Sequence, residues 1–175
     1  QSHGRLIVED HNYRFNRPIR AIEQLLAAGE LGEVREVDVR MALAIRKPGG
    51  RYADESLPHP SHKLPAGVIH EFITHLCYLA LRFMPPIDID RLRAAWSKHG
   101  DEGIFKYDDL DALAIGGPAH ARIRFTSHSS PDGFAVTVRG TKGSASTDLF
   151  YPYLRVDIPR KGGEQLSPLV NQLVN

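Results

Sequence analysis

The stretch that decides the fold is Gly67-Val68-Ile69-His70-Glu71-Phe72-Ile73-Thr74-His75-Leu76-Cys77-Tyr78-Leu79-Ala80-Leu81-Arg82-Phe83-Met84. It is the most apolar run in the chain and carries the densest set of ionisable groups. Pro65 precedes it, and Pro85 and Pro86 close it, because proline lacks the N–H a helix needs and restricts the residue before it. At 3.6 residues per turn, Ile69, Phe72, Ile73, Leu76, Ala80 and Phe83 share one side. Glu71, Thr74, His75, Tyr78 and Arg82 share the other. The expectation is a central helix with its apolar side in a core and its polar stripe facing a cleft.

Glu71 and His75 are four residues apart, which on a helix brings their Cβ atoms to ~6 Å. A carboxylate in that position can take a proton from one imidazole nitrogen, fix the tautomer and raise the histidine pKa. The second nitrogen is then free for a substrate hydroxyl. The same spacing equally describes a salt bridge on a helix surface, or a core histidine satisfied by its neighbour.

Working outward, the composition is that of an ordinary soluble domain, 42% hydrophobic and 25% charged. At 175 residues the chain can bury one good core. Net charge is +1, from 22 basic and 21 acidic residues, which is no electrostatic footprint for nucleic acid or an anionic membrane. The single cysteine, Cys77, has no intrachain partner and reads as a small core residue, consistent with a reducing cytoplasm. No apolar run reaches the ~20 residues needed to span a bilayer. The first residues, Gln1-Ser2-His3-Gly4, do not form a signal peptide. Both ends read as cut, so a fragment of a longer protein is expected.

Before the central stretch, Arg5 to Asn12 reads as a strand and Asn12 to Pro18 as a turn. A helix is expected from Pro18 to about Glu30, with Asn16 as a candidate cap and Gly29 and Gly32 as stops. Glu33 to Ile45 alternates as a long strand with one shift of phase. Residues 47–66 lack periodicity, carry several prolines, and lead into the central helix, a length that marks a functional or disordered loop. Beyond it, Asp88 to Ser97 reads as a strand with Leu92, Ala94 and Trp96 on one face. Strands over 111–115, 120–127, 134–139, 144–150 and 153–158 follow, joined by short turns and therefore antiparallel. The C-terminal Ser167 to Leu173 reads as the start of a helix. The fold class is α+β: a largely antiparallel open β-sheet with two to three helices packed on one face.

No Gly-x-Gly-x-x-Gly follows a strand, so no dinucleotide-binding unit is read. Gly140-Thr141-Lys142-Gly143-Ser144 lacks the spacing and the helix of a phosphate loop and reads as a hairpin turn. His70 and His75 are five apart, about 140° around a helix, so they do not form the metalloprotease pair, which needs histidines four apart. A zinc site there would have to borrow His59 or His62, and no metal is assigned.

The segments Asn12 to Pro18 and Leu25 to Val34, then Gly67, Glu71 and His75 at four-residue steps, then Gly140 to Ser144 with Asp148 after it, resemble the C-terminal domain of the Gfo/Idh/MocA oxidoreductases, relatives of glucose–fructose oxidoreductase and inositol dehydrogenase. The resemblance implies that residues 1–175 are a substrate-binding and oligomerisation domain. It implies a preceding Rossmann domain for NAD or NADP, which carries the family's catalytic lysine. It implies hydride transfer at a sugar, polyol or related carbinol. His75 would be the catalytic acid/base and Glu71 its orienting partner, where the family has Asp. Tyr13 and Arg14 would lie beside the nicotinamide or the substrate. The His-rich segment 59–65 departs from the better-known sugar dehydrogenases of the family. Read from the chain itself, His59, His62 and Lys63 are loop candidates for binding hydroxyls or a carboxylate, and Asn12, His70 and Tyr78 complete the substrate-binding candidates. A cytoplasmic homodimer or homotetramer joined through the sheet is expected. The rival readings are a non-catalytic binding or dimerisation module and a histidine-based metal hydrolase.

Overall fold

The computed structural model describes residues 9–57, 59–101, 103–160 and 166–174. A short 3-10 helix, Asn12–Phe15, leads into α1, Arg17–Ala27. The strand β1, Val34–Ala42, is followed by a long connection holding a second 3-10 helix, Pro60–Lys63. The central helix α2, Ile69–Phe83, comes next. Six strands follow: β2 Asp88–Ser97, β3 Asp109–Gly116, β4 Ala119–Thr126, β5 Gly133–Gly140, β6 Ser144–Asp148 and β7 Arg155–Asp157. The helix α3, Ser167–Val174, comes last.

Most of the expected elements are present. Of the first expected strand, residues 5–8 lie outside the described residues, and Asn12 belongs instead to the 3-10 helix. Pro18 sits in the first turn of α1, where its missing N–H costs nothing. Asn16 occupies the cap position, but its side chain makes no capping hydrogen bond. Gly140 to Ser144 is the β5–β6 hairpin turn, closed by Gly140 N–H donating to Gly143 O at 2.8 Å. Gly140 is required there, since a Cβ would stand 2.0 Å from the Leu31 carbonyl oxygen.

The sheet has seven strands in the order β2-β3-β4-β1-β5-β6-β7. Every neighbouring pair is antiparallel except β1 and β4, which run parallel in register Val37 with Ala121 and Met41 with Phe125. That pair does not follow from short turns, because its strands are far apart in sequence. The phase shift in the first long strand is a register irregularity between Val34 and Glu36. On one face, Val37, Val39, Ile123, Phe125, Phe134, Val136 and Val138 form the core with Ile19 and Ile22 of α1 and Leu76, Leu79, Ala80 and Phe83 of α2. Period-2 alternation in the strands and 3.6-residue spacing in the helices aim these side chains at each other.

The opposite face is charged rather than apolar. Arg139 pairs with Glu36 at 2.7 Å, and Arg122 grips Asp111 with two nitrogens at 2.5 and 3.0 Å. Val136 and Val138 alternate inward and are fully buried. Exposed apolar side chains gather at the edge strand β2, with Ile89 72% exposed. Among the described residues, no helix is long and apolar enough to cross a membrane.

Candidate functional site

The helix α2 lies over β1 and β4, which places His75 and Tyr78 beside the first 3-10 helix. Tyr78 Oη is the hub. It accepts the Tyr13 N–H at 3.2 Å, stands 3.1 Å from His75 Nδ1, and reaches Asn12 Oδ1 at 3.4 Å. His11 stacks on the Tyr78 ring with centroids 4.4 Å apart. Tyr13 meets His75 edge-on at 5.2 Å and Phe134 at 4.9 Å. Burial lifts the Tyr78 phenol to about 12, although the Tyr13 N–H works against it. Tyr78 is therefore a neutral hydroxyl at any ordinary pH.

His75 departs from expectation. Burial first, and the neighbouring His11 second, push its pKa below the ordinary value, and the Glu71 charge opposes them only in third place. The imidazole is therefore neutral near pH 7. Two hydrogen-bonding arrangements suit its contact with Tyr78. If Nδ1–H donates to Tyr78 Oη, Nε2 has a free lone pair that can accept a proton. If the phenol donates to Nδ1, Nε2–H can donate one. An arrangement of this kind is chemically able to take a proton from an alcohol or give one to a carbonyl.

No hydrogen bond joins Glu71 to His75 among the described residues, which corrects the expected pairing. Glu71 turns to the long connection instead. Its Oε1 accepts from Tyr52 Oη at 3.1 Å and lies 3.5 Å from Arg51 Nη2. Its Oε2 lies 3.5 Å from His59 Nδ1, but that nitrogen is committed to Ser61 Oγ at 2.7 Å. Glu71 Oε2 is left buried without a hydrogen-bond partner. An orphaned carboxylate oxygen is costly, and a ligand hydroxyl would satisfy it.

The remaining sequence candidates divide. Arg51 Nη2 donates to His59 Nε2 at 2.8 Å, and the Ser61 N–H donates to His59 Nδ1 at 3.3 Å, so both ring nitrogens of His59 are engaged within the loop. His62 Nε2–H donates to the Tyr52 carbonyl at 2.7 Å and its ring packs on Phe105, so this histidine holds the loop. Lys63 is exposed, and Arg14 and His70 are half-buried. Arg82, expected to face the cleft, pairs with Glu23 and ties α2 to α1. His11, Arg51 and Tyr52 were not singled out from the sequence. Their one signal was position, next to a turn or inside a long unpatterned loop. Among the described residues no strand enters a helix through a glycine-rich turn. A cavity of about 300 Å³ lies elsewhere, lined by Arg40, Pro131, Asp132, Asp148 and Tyr151 among others.

No protein-family model matches the sequence, and no curated protein matches it either. Solved structures do share its fold, and they are oxidoreductases of the Gfo/Idh/MocA type. An inositol dehydrogenase homolog from Azotobacter vinelandii, solved with NAD+, is 22% identical with a TM-score of 0.68 over 88% of this chain and 41% of its own. An oxidoreductase from Agrobacterium radiobacter, solved with NAD+, L-tartaric acid and magnesium, is 17% identical with a TM-score of 0.67 over 85% and 42%. Levoglucosan dehydrogenase with NADH and L-sorbose is 15% identical with a TM-score of 0.66 over 85% and 42%. At these identities the likeness is one of fold. The chain spans about two-fifths of the length of these three structures (41–42%).

Proposed function

We propose that residues 1–175 are the C-terminal, substrate-binding part of a longer nicotinamide-dependent oxidoreductase of the Gfo/Idh/MocA type, acting on a sugar, polyol or related carbinol. The observation that carries the reading is the His75–Tyr78 contact at 3.1 Å on α2, one turn from the orphaned oxygen of Glu71. The first pair handles a proton, and the second group accepts a hydroxyl. The sequence motifs and the fold shared with structures solved with NAD+ or NADH support it. A nicotinamide cofactor, NAD or NADP, would supply or remove the hydride from a preceding nucleotide domain.

In this reading His75 exchanges a proton with the reacting oxygen, and Tyr78 holds the imidazole in place. Glu71, positioned by Tyr52 and Arg51, orients a second hydroxyl. Tyr13 forms the aromatic floor beside His75, and Arg14 lies next to it in chain. The charged face of the sheet joins copies of the chain into a homodimer or homotetramer through ion pairs rather than apolar contact. The free Cys77, whose pKa is raised by burial, suits a protein of the reducing cytoplasm.

The test compares this chain with the gene product that includes whatever precedes Gln1. Calorimetry should show no NAD(H) or NADP(H) binding by residues 1–175 alone. The longer protein should reduce one of the two cofactors with members of a polyol and sugar panel. Micromolar cofactor binding by residues 1–175, or a longer protein with no nucleotide-binding segment, would sink the two-domain reading.

A further inference from the structure

Away from α2, four side chains able to offer one ligand atom each meet at one end of the sheet. His99 follows β2, Asp108 and Asp109 open β3, and His128 lies just past β4. One donor atom from each lies within 4.8 Å of the other three. His128 Nε2 is 3.0 Å from Asp108 Oδ2. His99 Nδ1 is 3.2 Å from Asp109 Oδ2 and 3.4 Å from Asp108 Oδ1. Ligand atoms on a tetrahedral zinc with bonds of ~2.0–2.1 Å are about 3.3 Å apart. Three of the spacings between these groups, 3.0 to 3.4 Å, lie near that separation, and the four donor atoms all fall within 4.8 Å of one another.

Register brings them together. Asp109 faces Ser97 across the β2–β3 pair and Thr126 across β3–β4, so the segments after Ser97 and Thr126 leave at the same end. Backbone bonds lock the corner: Asp108 N–H to Ser97 O at 3.0 Å, and Ser127 N–H to Asp108 O at 3.1 Å. The Asp108 side chain is 1% exposed and accepts the N–H groups of His99 and Gly100. Asp109 Oδ1 is buried without a hydrogen-bond partner. His99 is 55% exposed, which leaves an entry path from solvent.

A protein cation already stands at the rim. Arg46 Nη1 is 2.6 Å from His128 Nδ1 and 3.8 Å from Asp108 Oδ2. A metal on His128 Nε2 requires a proton on Nδ1, and an arginine N–H cannot stay against it. Arg46 and a metal ion are therefore alternative occupants, and the guanidinium has to swing aside for the metal to bind.

We propose that His99, Asp108, Asp109 and His128 form a zinc site that fastens the β2–β3 loop to the end of β4, with Arg46 as its built-in competitor. Two imidazoles and two carboxylates suit zinc, and four protein ligands leave no open position, so the role is structural. This site is independent of the chemistry proposed at His75.

The experiment titrates the 175-residue chain with zinc chloride by calorimetry, with metal analysis after dialysis for stoichiometry. One zinc per chain is expected, with a melting temperature that rises with zinc concentration. His99→Ala and His128→Ala should each weaken binding by about tenfold or more. Arg46→Gln should tighten it, because the competing cation is gone. His120→Ala, at the opposite end of β4 from His128, should leave the zinc affinity unchanged. Cobalt(II) in place of zinc should give the intense visible bands of a four-coordinate site, a readout independent of the variants. The proposal is overturned if neither the natural chain nor Arg46→Gln binds zinc, or if His99→Ala/His128→Ala binds it as tightly as the natural chain. Equal affinity for magnesium, or only the weak bands of octahedral cobalt, also overturns it.

Discussion

His75 and Glu71 stand one turn apart on the same helix, yet they belong to different neighbourhoods. His75 faces the 3-10 helix at 12–15 and joins Tyr78, Tyr13 and Asn12. Glu71 faces the connection after β1 and joins Tyr52, Arg51 and His59. Adjacency on a helix sets what can touch, and the segment packed over each position decides what does. A neutral imidazole–phenol pair and a carboxylate engaged with the loop thus sit side by side without a hydrogen bond between them among the described residues.

The largest effect that would break this comparison is expected from His75→Ala in the longer protein. Turnover should fall ~10²–10⁴-fold, as for loss of a general acid/base, while the melting temperature changes little. Leu76→Ala, one residue away and fully buried, should do the reverse. It should cost about 2–5 kcal/mol in urea unfolding and leave the turnover of the folded fraction near normal. If His75→Ala loses activity only by unfolding, the histidine is structural and the comparison fails.

Tyr78→Phe comes next. It removes the hydroxyl shared by Tyr13, His75 and Asn12, and should cost about 1–3 kcal/mol through the unsatisfied Tyr13 N–H. It should also lower turnover less than His75→Ala does. The loss of stability is measurable on this chain alone.

Glu71→Gln should raise KM more than it lowers kcat, since it acts on substrate hydroxyls rather than on the proton. The Glu71 charge is the one cause that raises the His75 pKa, so its removal should lower that pKa further and move the acidic limb of the kcat profile to lower pH. An effect on kcat alone would return Glu71 to the orienting role.

The smallest effect is on stability against pH. The His75 pKa in the folded chain lies below its ordinary 6.5, so the unfolded chain binds more protons between the two values. Stability should therefore fall as pH drops from above 6.5 through the folded pKa, and His75→Ala should flatten that step. Asp108 acts in a separate, lower window. Burial raises its pKa, but the Gly100 N–H, His128 and the His99 N–H outweigh burial and bring it to about 2 from 3.8. Its stabilisation is present above 3.8 and lost as pH falls through about 2. Urea midpoints measured across both windows, with and without His75, separate the two groups.

Local signals made much of the fold legible. The 3.6-residue spacing of Leu76, Ala80 and Phe83 and the alternation in Ala121, Ile123 and Phe125 mark faces that depend only on neighbours in sequence. Gly29, Gly32 and the 140–143 turn mark ends for the same reason. His75, Glu71 and Tyr78 could be named from their stripe on α2, but not the bonds they make. Arg51, Tyr52 and His11 carry no periodic signal, because loop residues reach a site through tertiary packing.

By itself, the sequence determined the α+β class, the central helix, the hairpin strands and the polar stripe holding His75, since each rests on spacing along one element. The tertiary structure alone decided the parallel β1–β4 pair, whose strands are joined through α2 and two further strands. It decided that Glu71 bonds Tyr52 rather than His75. It also lowered the His75 pKa, because burial and His11 outweigh a carboxylate one turn away. Contacts between distant segments, and the desolvation that comes with them, do not exist until the chain has folded.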